Sequence, residues 1–164
     1  MIFVTLGSQK FQFNRLLIKL DELIEKGCIT DKVIAQIGAS TYIPKHFEYV
    51  SFMDRTEFAN TMDQASVVIT HGGTGVIIGA VKKGKKVIAI PRLARYGEHV
   101  DDHQLQLLHQ FDDLGIICAC YDSEDLEKCI NEIDSMIFRP YISNTDTIIS
   151  SIEEFLISDM EKRK

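Results

Sequence analysis

Short runs of consecutive apolar residues alternate along this chain with segments whose apolar residues recur every three or four positions. The first pattern suits a strand buried on both faces, and the second suits a helix with one apolar stripe. Ile2 to Leu6 predicts a strand ending at Gly7-Ser8, and Phe13, Leu16, Leu17, Leu20, Leu23 and Ile24 predict a helix that Gly27 closes. Further strands are predicted at Lys32 to Ile37, Phe47 to Phe52, Val67 to Thr70, Val87 to Ile90 and Ile116 to Cys120. Helices are predicted at Thr56 to Ala65, at Val76 to Lys83, through Leu105, Leu108 and Phe111, at Ser123 to Ile133 and at Asp146 to Glu161.

Strands joined by helices imply right-handed crossovers and a parallel sheet covered on both faces. The expected fold is therefore α/β: a doubly wound, six-stranded, Rossmann-like parallel sheet forming one domain over 1–164, with a C-terminal helix at 146–161. That helix carries Ile148, Ile149, Ile152, Phe155 and Leu156 on one stripe, followed by a solvated Lys162-Arg163-Lys164. Docking on its own domain is the expectation, and an interface with a partner is the alternative. Lys82-Lys83-Gly84-Lys85-Lys86 reads as a helix C-terminus with a glycine stop, and otherwise as a face toward anionic lipid or a partner.

Charge and composition narrow the function. The 164 residues hold 18 Lys plus Arg against 24 Asp plus Glu, a net charge of −6, so electrostatic capture of nucleic acid is not expected. No apolar run approaches the roughly 20 residues that cross a bilayer. Met-Ile-Phe-Val-Thr-Leu-Gly reads as a strand and not a signal peptide, so a cytoplasmic location is expected. Cys28, Cys118, Cys120 and Cys129 form no CxxC pair and read as reduced core thiols. Cys118 and Cys120, two apart in a strand, should face one side.

Ligands of doubly wound sheets bind beyond the carboxyl ends of the strands, which directs attention to Gly7 to Phe11, Gly38 to Thr41, His71 to Gly75 and Pro91 to Gln104. Three glycines in His71-Gly72-Gly73-Thr74-Gly75, between a strand and a helix, leave the helix N-terminal amides bare, as an anion such as a diphosphate requires. His71 and Thr74 add side chains able to donate to a phosphate oxygen. The alternative is a tight turn whose glycines serve backbone geometry alone. No Walker lysine is present, which disfavours a P-loop hydrolase. Gly73, Gly75 and Gly79 fit a GxGxxxG spacing, but after the wrong strand for a dinucleotide site, and Arg92 supplies no ribose-binding carboxylate after the next strand.

Pro91 to Gln104 gathers three carboxylates, two imidazoles, two guanidiniums and an amide in fourteen positions. His99 and His103 with Glu98, Asp101 and Asp102 invite a metal reading, but spacing fixes no third ligand and no metal is expected. Asp101 and Asp102 also suit the positive end of the helix that follows. The same mixture of short polar groups suits hydrogen bonding to a sugar or ribose.

Taken in order, Phe3-Val4-Thr5-Leu6-Gly7-Ser8 with Phe13-x-Arg15-Leu16, His71-Gly72-Gly73-Thr74-Gly75, Gly84-Lys85-Lys86-Val87-Ile88 and Gly97-Glu98-His99-Val100-Asp101-Asp102-His103-Gln104 resemble the glycosyltransferase family 28 C-terminal domain. The chain also resembles small bacterial PssE-type and capsule-type subunits, themselves similar to the soluble subunit of the eukaryotic N-acetylglucosaminyltransferase acting on dolichol-linked sugar. The resemblance implies the nucleotide-binding half of a two-component GT-B glycosyltransferase, with a UDP-sugar donor, no cofactor and no obligatory metal. It implies donor contacts from Gly7, Ser8, His71, Gly72, Gly73, Thr74, Gly75, Arg92, Glu98, His99, Asp102, His103 and Gln104. It implies a separate, membrane-associated, acceptor-binding subunit at the inner membrane face and transfer of a hexose or N-acetylhexosamine to a polyprenyl-diphosphate-linked acceptor in exopolysaccharide or capsule synthesis. The general base would come from that partner or the interface. Gly79 stands where relatives carry a ribose-binding glutamate, and Asp102 where the eukaryotic pattern has asparagine. The second reading is a non-catalytic accessory subunit that enhances a partner transferase.

Overall fold

A computed structural model describes residues 1–162. Strands β1 (Ile2–Thr5), β2 (Val33–Gln36), β3 (Glu48–Val50), β4 (Val67–His71), β5 (Lys86–Ile90) and β6 (Cys118–Ala119) alternate with helices α1 (Asn14–Glu25), α2 (Arg55–Gln64), α3 (Thr74–Lys82), α4 (His103–Asp113), α5 (Leu126–Glu132) and α6 (Thr145–Lys162). The six strands form one parallel sheet in the order β3-β2-β1-β4-β5-β6, as the alternating pattern predicts. The chain builds outward from β1 to β3, then returns to place β4 beside β1. The crevice between the carboxyl ends of β1 and β4 is thus the topological switch point.

Successive side chains on a strand point to opposite faces, and the core divides accordingly. Val4, Leu6, Ile69, Ile88 and Ile90 pack with Phe13, Leu16, Leu17 and Leu20 of the α1 side and with Leu126 and Cys129 of α5. Phe3, Val68, Val87 and Ala89 pack on Met62, Ile77, Ala80, Leu108 and Phe111 of α2, α3 and α4. Cys118 and Cys120 share the first layer with Cys129, all as free thiols. β6 is shorter than its apolar pattern suggests: its register with β5 covers Cys118 and Ala119, with the Cys120 amide donating to the Ala89 carbonyl at 2.9 Å, although Ile116 and Ile117 remain buried.

Two polar devices fix the connections on either side of β3. Buried Asp21 accepts from Tyr42 Oη (2.8 Å) and from the Lys45 and His46 amides (2.8 and 3.0 Å), which pins the loop between β2 and β3. Asp54 accepts from the Thr56 and Glu57 amides while Glu57 accepts from the Asp54 amide, a capping box that fixes the turn into α2. The lysine run ends α3 at Gly84, with φ +69°; Lys83 pairs with Asp63 and Lys86 with Asp134.

The expectation that α6 docks on its own domain does not hold. Every residue from 142 to 157 is exposed, including Ile148, Ile149, Ile152, Phe155 and Leu156. About half or more of the surface of each of these five side chains faces solvent. Arg163 and Lys164 of the basic tail lie outside the described residues. Among the described residues no helix is long and apolar enough to cross a membrane.

Candidate functional site

At the switch point two glycines, Gly7 and Gly73, are dictated by one imidazole. Gly7 ends β1 with φ +74°, and a Cβ there would lie 2.7 Å from His71 Cε1. A Cβ on Gly73 would collide with the same ring. Gly72 has no room either, because its Cβ would lie 2.8 Å from Gln104 Cβ and 2.7 Å from Leu108 Cδ1. The side chain of His71 therefore fills the space between the β1 and β4 loops, and the backbone wraps around it.

Beyond it, α3 begins at Thr74 with Gly73 as its N-cap, and no side chain caps it. The first-turn amides of Thr74, Gly75 and Val76 are left for a ligand, and the helix dipole favours an anion there. Thr74 and Gly75 are exposed, as is Ser8 across the crevice.

Burial, reinforced by the nearby Arg92 charge, pushes His71 down to about 4, so the ring is neutral near pH 7. Thr70 Oγ1 donates to the Thr5 carbonyl at 2.8 Å and lies 3.3 Å from His71 Nδ1. A hydroxyl whose hydrogen is committed to Thr5 offers only a lone pair to Nδ1, which places the imidazole proton on Nδ1 and leaves Nε2 an acceptor. Donation from His71 to a phosphate oxygen, the role expected from sequence, requires the other tautomer, with Thr70 turned to Nδ1.

The segment after β5 supports this edge from below. Gln104 Oε1 accepts from the Gly72 and Arg92 amides, both at 3.0 Å. Glu98 is wholly buried: Arg15 Nε and Nη2 grip its two oxygens at 3.1 and 3.0 Å, and the Leu93 amide donates to Oε2 at 3.0 Å. Both oxygens of Glu98 are thereby engaged inside the protein. Asp102 accepts from the Ala94 amide at 2.8 Å, and Asp101 accepts from the His103 amide at 3.0 Å while lying 3.0 Å from His99 Nδ1. His103 is exposed at the start of α4, and His99 is half-buried beside the Phe11 ring, 5.0 Å between centroids. Among the described residues no group of three His, Cys, Asp or Glu side chains is placed to hold a metal ion.

The structure adds residues that the sequence reading passed over. A pocket of about 320 Å³ opens beside Gly7 and Ser8, lined by Thr5, Gln36, Phe52, Met53, Asp54, Arg55, Phe58 and Val76. Gln36 Oε1 accepts from the Met53 amide at 3.0 Å and so fixes its wall. A polar residue inside an otherwise apolar predicted strand was the signal for Gln36; Phe52 read as an ordinary strand-end apolar residue, and nothing marked Met53. An apolar groove between α2 and α3, lined in part by Met62, Gly75 and Gly79, shares Arg55, Phe58 and Val76 with that pocket. Nothing lies within 4 Å of where a Gly79 Cβ would sit.

An uncapped helix terminus lies at the switch point of a doubly wound α/β sheet, the place where such folds take their ligands. The chain matches the glycosyltransferase family 28 C-terminal domain over residues 1–156 and belongs to that family. It is similar to the human UDP-N-acetylglucosamine transferase subunit ALG13, 25% identical over 126 residues, covering 73% of this chain and 11% of that protein. The counterpart from Candida albicans is 28% identical over 98 residues, 60% of this chain and 32% of that protein. The chain thus spans a third or less of either relative. In fold it is similar to the solution structure of ALG13 (TM-score 0.57, 19% identity, 87% of this chain and 89% of that one). It is also similar to the kitacinnamycin glycotransferase (TM-score 0.61, 19% identity, 82% and 34%). The glycosyltransferase SnogD from Streptomyces nogalater gives a TM-score of 0.56 at 21% identity, covering 82% of this chain and 35% of that one.

Proposed function

We propose that this chain is the UDP-sugar-binding subunit of a two-component glycosyltransferase. The observation that carries this is the uncapped N-terminus of α3, facing Gly7 across the switch point, in a chain of this family. The diphosphate of the donor sits on the amides of Thr74, Gly75 and Val76, with Gly7 and Ser8 opposite. The nucleoside enters the pocket bounded by Gln36, Phe52, Met53 and Phe58, whose apolar walls suit a base. His103 and the Gln104 amide group face the donor sugar from the start of α4. Displacement at the anomeric carbon then leaves negative charge on the diphosphate, and fixed amides stabilise it without reorganising.

The acceptor half comes from a separate membrane-associated subunit, and the exposed apolar stripe of α6 is the surface offered to it. The acceptor is a polyprenyl-diphosphate-linked sugar, the product a growing exopolysaccharide or capsule chain, and the transferred group a hexose or N-acetylhexosamine. Calorimetric titration with UDP, on the chain and on its complex, tests the donor site: absence of binding in both removes it.

One observation favours the accessory alternative. Gly79 leaves open the position of the expected ribose-binding carboxylate, and the groove beside it carries no acid other than Asp54 at its margin. Transfer of radiolabelled sugar by the partner, with the wild-type chain and with His71→Ala, separates the two: unchanged activity with the variant means an accessory role.

A further inference from the structure

Arg92 is wholly buried, and its guanidinium is only partly used. Nη2 donates to the Leu6 carbonyl at 2.7 Å, while Nε and Nη1 have no hydrogen-bond partner among the described residues. The Phe13 ring lies 5.6 Å away. Glu98, the carboxylate whose charge acts on Arg92, is taken bidentately by Arg15, which itself donates from Nη2 to the Pro91 carbonyl at 3.1 Å. His71, the other ionisable group beside Arg92, is neutral at pH 7. Arg15, Arg92 and Glu98 therefore leave one uncompensated positive charge under the carboxyl edge of a protein whose net charge is −6.

A buried cation without a carboxylate partner is a standing cost to the empty protein, and a methionine of similar volume would avoid it. The Leu6 carbonyl alone does not require a charge. Arg92 comes from the end of β5 and reaches across β4 to the residue just before Gly7, so it lies beneath the crevice between β1 and β4. We propose that Arg92 is the fixed counter-charge of the donor's diphosphate, a positioning residue that draws phosphate charge to the α3 amides by its field. The proposal rests on the UDP-sugar reading above. It assigns to a buried side chain of this protein part of the charge neutralisation that the bare amides begin.

The test is calorimetric titration of UDP and of uridine, which lacks the phosphates, into the wild-type chain, Arg92→Met and Arg92→Lys, with thermal unfolding of each unliganded protein. Arg92→Met is expected to weaken UDP binding at least about tenfold and uridine binding less than about twofold, with an unliganded melting temperature equal to or above wild type. Arg92→Lys keeps the charge and is expected to stay within about threefold of wild type for UDP. Equal losses for UDP and uridine, or an unchanged UDP affinity in Arg92→Met, would make Arg92 a strut for Leu6 and overturn the proposal. If the methionine variant does not fold, the lysine variant decides: retained UDP binding supports the counter-charge and lost binding overturns it. A wild-type chain that binds uridine and UDP equally overturns the proposal while sparing the nucleoside pocket; one that binds neither fails at the donor reading itself.

Discussion

Gly7 and His71 touch across the mouth of the sheet: a Cβ added to Gly7 would come within 2.7 Å of His71 Cε1 on a backbone already at φ +74°. Gly7→Ala is expected to cost about 1–2 kcal/mol from the left-handed backbone, and in addition to displace the imidazole and weaken UDP binding at least about tenfold. Gly27→Ala is the control. Gly27 has φ +75° with nothing within 4 Å, so the same backbone strain should lower the melting temperature and leave UDP affinity unchanged.

His71 also makes stability depend on pH. Its folded-state value, near 4, lies below the ordinary 6.5 because burial disfavours the imidazolium. Between those values the unfolded chain binds more protons than the folded one, so stability rises with pH across the window and falls as pH drops from about 6.5 toward 4. The full effect is on the order of 3 kcal/mol. Urea unfolding of wild type and His71→Gln at pH 7, 6, 5 and 4.5 measures it: the wild type should lose more stability on acidification than the variant, and parallel curves would contradict the assignment.

The pair of Arg15 and Glu98 ties the start of α1 to the loop after β5. Glu98→Gln keeps an acceptor for the Leu93 amide but leaves a partly buried guanidinium without its counter-charge. Breaking a buried pair from one side costs about 3–5 kcal/mol, and the partial exposure of Arg15 lowers the expectation to about 2–3 kcal/mol. Denaturant midpoints at constant m-value give the number.

Removal of α6, by ending the chain at Asn144, should leave the sheet intact. Its side chains up to residue 157 are exposed, so the melting temperature should shift by no more than about 2 °C, while co-purification with the proposed acceptor subunit should be lost. A large loss of stability would show that the helix serves its own domain after all.

The order of elements was legible because parallel strands buried on both faces read as continuous apolar runs, as in Val67 to Ile69 and Val87 to Ile90. Gly7, His71 and the turn to Gly75 could be found from their place after strands. What periodicity could not reveal was direction. Glu98 and Asp102 look alike in a polar loop, yet one is clamped by Arg15 across 83 positions and the other caps Ala94. The pocket wall at Phe52 and Met53 was hidden for the same reason, since only the pairing of β2 with β3 brings them beside Gly7. The α6 stripe read correctly as amphipathic; how much of it is covered depends on the rest of the surface, which a local pattern does not encode.

One oxygen of Gln104 holds the amides of Gly72 and Arg92 at equal distance. The turns leaving β4 and β5 thus share a single rivet driven from the first coil of α4. Shifting one loosens the other, so whatever settles against the glycine turn also registers the stance of the helix that carries His103.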